Sequence, residues 1–301
     1  MRNAEEQLRL HKALLDLSRL SPSDQSERGY RLVTTNYDNR FEKAGLPLRW
    51  IEAAPRLARP QANRAGYATF LHGRIETETA KRDPEHTSLV LTSADFGDAY
   101  LRDGYAARFV LELFREFTVL FIGYSLNDPV MRYLMDIFAT ENEESQQGQF
   151  HKAYAFVAHG DDDAEHQRQL WEAKHVTPIL YHNADSHQVL TNTLESWAHI
   201  HRAGSDGRFQ ILMDVVTRPF QGDLDADNLA NAAWALSDKG HRIARRLGSL
   251  DVAERKLDAD ISWFGPLLEA SVIDPQDDRR PSKSCRLAEI EEVAFQMCRW
   301  L

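Results

Sequence analysis

From residue 31 to about residue 200 the chain alternates two kinds of apolar pattern. Short runs rich in β-branched residues give way to longer stretches whose apolar positions recur every three or four residues. The short runs predict strands at about 31–35, 68–71, 88–92, 118–122, 153–157 and 176–181, with a weaker candidate at 48–53. The helical spacing predicts helices over 4–20, 130–139, 161–173 and 187–201, and one or two helices over 94–117. Polar stretches at 55–66, 76–85 and 141–149 read as loops. Strands alternating with helices predict an α/β fold, a Rossmann-like parallel sheet with helices on both faces. Thr118 to Ile122 is the most continuously apolar run, as expected of a central strand covered on both faces. Pro178 marks 176–181 as an edge strand.

The pattern changes after Arg202-Ala203-Gly204-Ser205-Asp206-Gly207, which reads as a linker. Beyond it no strand is evident, and 229–247, 257–268 and 287–301 are helical in spacing. Two domains are therefore expected, 1–203 and an α-helical C-terminal region over 204–301. Phe295 to Leu301 is too apolar for a solvated tail, so the last helix is expected to pack on a partner or on further chain.

Composition narrows the function classes. At 301 residues, 43% hydrophobic and 27% charged, the chain can bury a sizeable core. A net charge of −10 argues against a broad nucleic-acid or anionic-membrane footprint. Cys285 and Cys298 are the only cysteines, which excludes a disulfide framework. No apolar run approaches the roughly 18 residues of a membrane span, and the first ten residues lack a secretion signal. A cytoplasmic location is expected.

Three strand ends carry residues that a core does not ask for. The first is Thr34-Thr35-Asn36-Tyr37-Asp38, the second His72-Gly73, the third Gly123-Tyr124-Ser125-Leu126. In a parallel sheet such C-terminal ends lie along one edge, where ligands bind. Asn36 and Asp38 can hydrogen-bond an amide or sugar hydroxyls, although Asp38 reads equally well as a helix N-cap. A histidine titrating near neutrality can act as general base, although a lone strand-end histidine more often caps a turn. Glycine at 123 lets backbone approach a phosphate or ribose.

Taken together, these motifs resemble the sirtuin fold family. Thr34-Thr35-Asn36-Tyr37-Asp38 resembles its Thr-Gln-Asn-Ile-Asp, Leu71-His72-Gly73 its His-Gly, and Gly123-Tyr124-Ser125-Leu126 its Gly-Thr-Ser-Leu. The chain is most similar to the prokaryotic branch of anti-phage defence, the Thoeris NADase and defence-associated sirtuins. That similarity extends to Leu91-Thr92, Asp95-Phe96 and the full run Gly123 to Pro129, and covers about residues 10–200. Residues 74–122 contain no cysteine, so the zinc ribbon of sirtuin deacylases cannot form there. Lysine deacylation is disfavoured accordingly, and no metal is expected.

The resemblance implies an NAD glycohydrolase that cleaves NAD to nicotinamide and ADP-ribose. Asn36, His72 and Asp38 would be catalytic. Thr34, Thr35, Gly73, Gly123, Tyr124, Ser125 and Leu126 would bind NAD. It also implies a first central strand with a Gly-rich turn for the pyrophosphate, and no counterpart is found in this sequence. This chain alone is therefore expected to bind NAD weakly if at all and to be inactive or nearly so, and its sheet to have a gap unless the two neighbouring strands close up on each other. The alternative is a non-enzymatic module that binds NAD or ADP-ribose and regulates a partner. Control through a homo-oligomer or a partner at the helical region is expected, with no nucleic acid or membrane involved.

Overall fold

The computed structural model describes residues 8–20, 29–75, 89–126, 128–144, 150–183, 186–237, 242, 243, 246, 261–263 and 265–267. Two compact units are present, Met1–Ala198 and His199–Leu301.

The first unit opens with helix α1 (Arg9–Ser18) and strand β1 (Gly29–Thr34). A single-turn helix α2 (Arg40–Lys43), strands β2 (Ile51–Ala53) and β3 (Gly66–Phe70), and a short helix α3 (Ser93–Gly97) follow. Then come α4 (Tyr105–Glu116), β4 (Val119–Phe121), α5 (Pro129–Glu144), β5 (Ala153–His159), α6 (Ala164–Glu172), β6 (Thr177–His182) and α7 (Gln188–Val216). The expected α/β, Rossmann-like architecture is present, and the strands pair in parallel.

The sheet comes in two halves of three strands, ordered β1-β3-β2 and β4-β5-β6. β1 lies beside β3 with Leu32 opposite Ala68 and Thr34 opposite Phe70. β4 lies beside β5 with Leu120 opposite Tyr154. Both halves share their covering layers. On one face Val33, Val119 and Phe121 pack against a core containing Phe109, Phe114 and Phe138. On the other, Leu32 packs with Leu15, Phe41 and Phe70, while Ile122 and Phe156 pack with Leu190 and Leu194. Leu14 of α1 belongs to both of these last clusters and bridges the halves.

Between the halves lies a cavity of about 470 Å³, lined by Tyr30 to Asn36 on one side and Thr118 to Tyr124 on the other. The packing of Val119 and Phe121 into one cluster and of Ile122 into another agrees with the expected strand at 118–122, covered on both faces. Among the described residues β4 pairs with β5 alone and is half-buried, and its other edge faces the cavity.

Two expectations are corrected. Leu89 to Thr92 is not a strand, because Thr92 and Asp95 form a reciprocal capping box that starts α3. The Leu91 and Thr92 amides go to the Asp95 carboxylate at 3.1 and 2.8 Å, leaving none for a ladder. The 94–117 stretch takes the second of its two expected forms, two helices, α3 and α4, separated by a π-turn at Asp98–Arg102 and by Gly104 at φ 63°. The segment read as a linker is helical except at Gly204, where φ 54° and ψ −124° break α7. Residues 76–85, 145–149 and 287–301 lie outside the described residues.

The second unit is helical in its described part. The end of α7 packs with α8 (Ala226–Leu236), Ile243, Trp263 and Leu267. Its turn is tied by buried Asp225, whose carboxylate accepts from Arg218 at 2.5 Å, the Gln221 amide at 2.8 Å and Asn228 at 3.0 Å.

Candidate functional site

The ends of β1 and β3 are laced together by backbone. The Leu71 amide donates to the Thr34 carbonyl at 2.9 Å, and the Ile75 amide to the Tyr37 carbonyl at 2.8 Å. The Val90 amide donates to the His72 carbonyl at 3.0 Å, and Tyr37 Oη donates to the Val90 carbonyl. Thr34 Oγ1 accepts the Asn36 amide at 3.1 Å, which turns the chain out of the strand and leaves Asn36 exposed. The first two motifs are therefore neighbours. Gly73, buried at φ 86°, makes the sharp turn between them.

A buried ion pair completes this lacing. Arg74 Nη1 lies 2.7 Å from Glu42 Oε1, with the two side chains 8% and 14% exposed. It ties the loop after His72 to α2, the helix that follows Asn36 and Asp38. Asp38 itself takes the cap role: its Oδ1 accepts the Arg40 amide at 3.0 Å, and its Oδ2 lies 3.8 Å from Arg40 Nε.

His72 is 5% exposed. Its Nε2 is 2.9 Å from Tyr100 Oη, and the Phe96 ring meets it edge-on at 5.0 Å. Phe96 and Tyr100 stack at 5.4 Å, forming a two-ring wall against the imidazole. Burial lowers the His72 pKa, and the negative charge of Asp128 opposes that shift. Burial raises the Tyr100 pKa, so the phenol stays protonated at neutral pH.

The third strand end lies across the cavity. Thr35, Asn36, Gly123 and Tyr124 all line it; His72 does not, although its neighbour Leu71 does. Gly123 sits at φ 67° with open space where a Cβ would stand, so its backbone conformation, not crowding, asks for glycine. Ser125 is exposed, and its carbonyl accepts from Lys174 Nζ at 2.9 Å. Leu126, at φ 52°, is fully buried in the core and anchors this loop by packing. Burial and Asp128 push the Tyr124 phenol up to about 12.

Sequence reasoning missed Tyr100 and the Arg74–Glu42 pair, and it placed Phe96 and Asp128 in matching motifs without assigning either to the site. Asp128 lay within the run Gly123 to Pro129 and carried the signal, but an acidic residue before Pro129 also reads as a helix start.

Comparison with known proteins agrees with this arrangement. Residues 31–179 match the SIR2-like domain family. The uncharacterized protein y4cA of Sinorhizobium fredii is 29% identical over 266 residues, covering 85% of this chain and 21% of that protein. The chain thus spans about a fifth of the length of this curated relative. The matched region takes in all three strand-end motifs and all six strands except the first residues of β1 and the last of β6. Over residues 31–179 this chain is similar to the SIR2-like domain, and the strands of that region pair in parallel in a Rossmann-like build.

Proposed function

We propose that the region is an NAD glycohydrolase of the type used in anti-phage defence, releasing nicotinamide from NAD with water as acceptor. The observation that carries this reading is the convergence of Thr34 to Asn36 and Gly123 to Tyr124 on one cavity, with His72 laced to the first of these segments. The match to the SIR2-like domain supports NAD as the ligand.

In this reading Asn36 holds the nicotinamide ribose and positions water, while Thr34, Thr35 and Asp38 shape its loop. Gly73 turns the neighbouring strand end beside them. Gly123, Tyr124 and Ser125 receive the adenosine half, with Leu126 anchoring their loop. His72 is the general base. When its Nε2–H donates to Tyr100, the Nδ1 lone pair is left to take a proton. Burial favours the neutral, basic imidazole. The bond between ribose C1′ and nicotinamide breaks towards an oxocarbenium-like state, which fixed dipoles and charges stabilise.

The cavity between β1 and β4 is, in this reading, the seat of the strand and Gly-rich turn that the resemblance implies. Among the described residues neither facing edge has a strand partner, Tyr30 of β1 making one isolated antiparallel bridge to Arg19, and an inserted strand would supply the pairing. Its turn would add the amides that bind pyrophosphate. Calorimetric titration with NAD is expected to give weak binding for the 301-residue chain and tighter binding where that strand is supplied.

A regulatory module that binds NAD or ADP-ribose without cleaving it is the second reading, favoured by the burial of His72 away from the cavity lining. Control through an oligomer or a partner at the helical region belongs to both. Incubation with NAD separates them: free nicotinamide supports cleavage, and binding without release supports the module. Acetyl-ADP-ribose formed from an acetyl-lysine peptide would instead indicate deacylation.

A further inference from the structure

The ends of β5 and β6 carry polar side chains that the proposed cleavage does not use. β5 stops at His159 and β6 at His182. The parallel register sets these two histidines directly opposite each other. Two residues back on the same face, Val157 and Leu180 are paired in the same way and pack into the core that contains Phe109 and Phe114. The last step of the ladder thus replaces an apolar pair with two imidazoles, on strands about 4.8 Å apart. Neither histidine lines the cavity between the half-sheets.

Each ring is fixed in one tautomer by a partner that can only accept. His159 Nδ1 lies 2.6 Å from the Gly160 carbonyl oxygen, so this nitrogen carries the proton and donates. His182 Nε2 lies 2.8 Å from Asp161 Oδ1 and donates to the carboxylate in the same way. In the neutral rings the lone pairs are therefore on His159 Nε2 and His182 Nδ1. Neither of these two nitrogens has a hydrogen bond among the described residues. A carbonyl behind one imidazole and a carboxylate behind the other is the support that metal-binding histidines receive. The ring centres are 5.6 Å apart and the planes inclined by 76°. Two imidazoles on one tetrahedral ion, each nitrogen about 2.0–2.1 Å from the metal, place their ring centres about 5–6 Å apart.

We propose that His159 and His182 form a two-histidine site for a divalent transition-metal cation, zinc above all, with water completing the coordination. Among the described residues no three His, Cys, Asp or Glu side chains gather around one ion, so the protein supplies two ligands and solvent the others. His182 and Asp161 are exposed and His159 is half-buried, which gives those waters access. Asp161 is a positioning residue that holds the His182 ring through its protonated nitrogen. Imidazole ligands select zinc, nickel or copper over magnesium and calcium, which require oxygen. This site is independent of the glycohydrolase reading.

The test is calorimetric titration of the untagged 301-residue protein with zinc chloride, beside His159→Ala, His182→Ala and Asp161→Ala. Each histidine variant should lose more than about 10-fold in zinc affinity, and Asp161→Ala about 10-fold, with circular dichroism unchanged. Magnesium chloride in excess should not displace the zinc. Nitrogen NMR of the imidazoles gives a reading that does not depend on any variant. Without metal, the protonated nitrogens should be His159 Nδ1 and His182 Nε2, and zinc should shift His159 Nε2 and His182 Nδ1. No saturable zinc binding by wild type would overturn the site. Wild-type affinity in either histidine variant, or zinc shifts confined to other histidines, would overturn it equally, as the mark of an adventitious ion only.

Discussion

The two half-sheets end very differently. At the ends of β1 and β3 the polar groups are sunk into the protein: Thr34, Thr69, His72 and Arg74 are all buried. Backbone bonds and the Arg74–Glu42 pair lock them together. At the end of β4, Gly123 and Ser125 are exposed, and the loop is held by one buried leucine and one lysine. In the proposed reading the first half supplies the fixed geometry that chemistry requires, and the second receives a ligand that comes and goes. On this account, damage to the first half should abolish catalysis, and damage to the second should weaken binding.

The largest effect expected is on turnover. His72→Ala and Asn36→Ala should each slow nicotinamide release by about 10² to 10⁴, with the fold intact by circular dichroism. Ser125→Ala should raise KM by less than about 10-fold and spare kcat. The reverse ranking would break the comparison.

The next effect is on stability. Arg74→Ala strands the Glu42 carboxylate beneath the surface and should cost about 3–5 kcal/mol in urea unfolding. A loss below about 1 kcal/mol would mean that the pair is solvated in solution and does not lock the site.

Acid should reveal the burial of His72. Its folded pKa is lowered from the 6.5 of the free side chain, chiefly by desolvation. The neutral ring is therefore the form that suits the fold. Its contribution is complete above about pH 6.5 and is lost as pH falls from there through the folded value. The acid limb of kcat/KM should lie below pH 6.5 and disappear from the residual rate of His72→Ala. A limb above pH 6.5 would contradict the burial.

The smallest effect sharpens the second half. Gly123→Ala meets no neighbour but must hold φ 67°, so it should cost about 1–2 kcal/mol through backbone strain alone.

Much of this was legible in the residues. Alternation of β-branched runs with helical spacing yields the parallel halves, and Pro178 yields the edge position of β6. The three strand-end motifs announced themselves as polar groups where an apolar strand stops. The Leu89 to Thr92 segment misled because Val90 is buried like a strand residue, yet its amide is spent on His72 and the next two on Asp95. Tyr100 and Phe96 were illegible as site residues because aromatic residues on a helical stretch look like core. Their contact with His72 spans 28 and 24 positions of chain, a separation that local pattern does not encode. Asp128 was visible as a letter but not as a charge, since only folding shows which of its oxygens is satisfied.

The most direct test is nicotinamide release from NAD by the protein as encoded in full, beside His72→Ala. The account predicts one nicotinamide for each ADP-ribose formed, with no acyl acceptor needed, and near-complete loss in the variant. Binding of NAD without nicotinamide release, or release that survives His72→Ala at the wild-type rate, would contradict it.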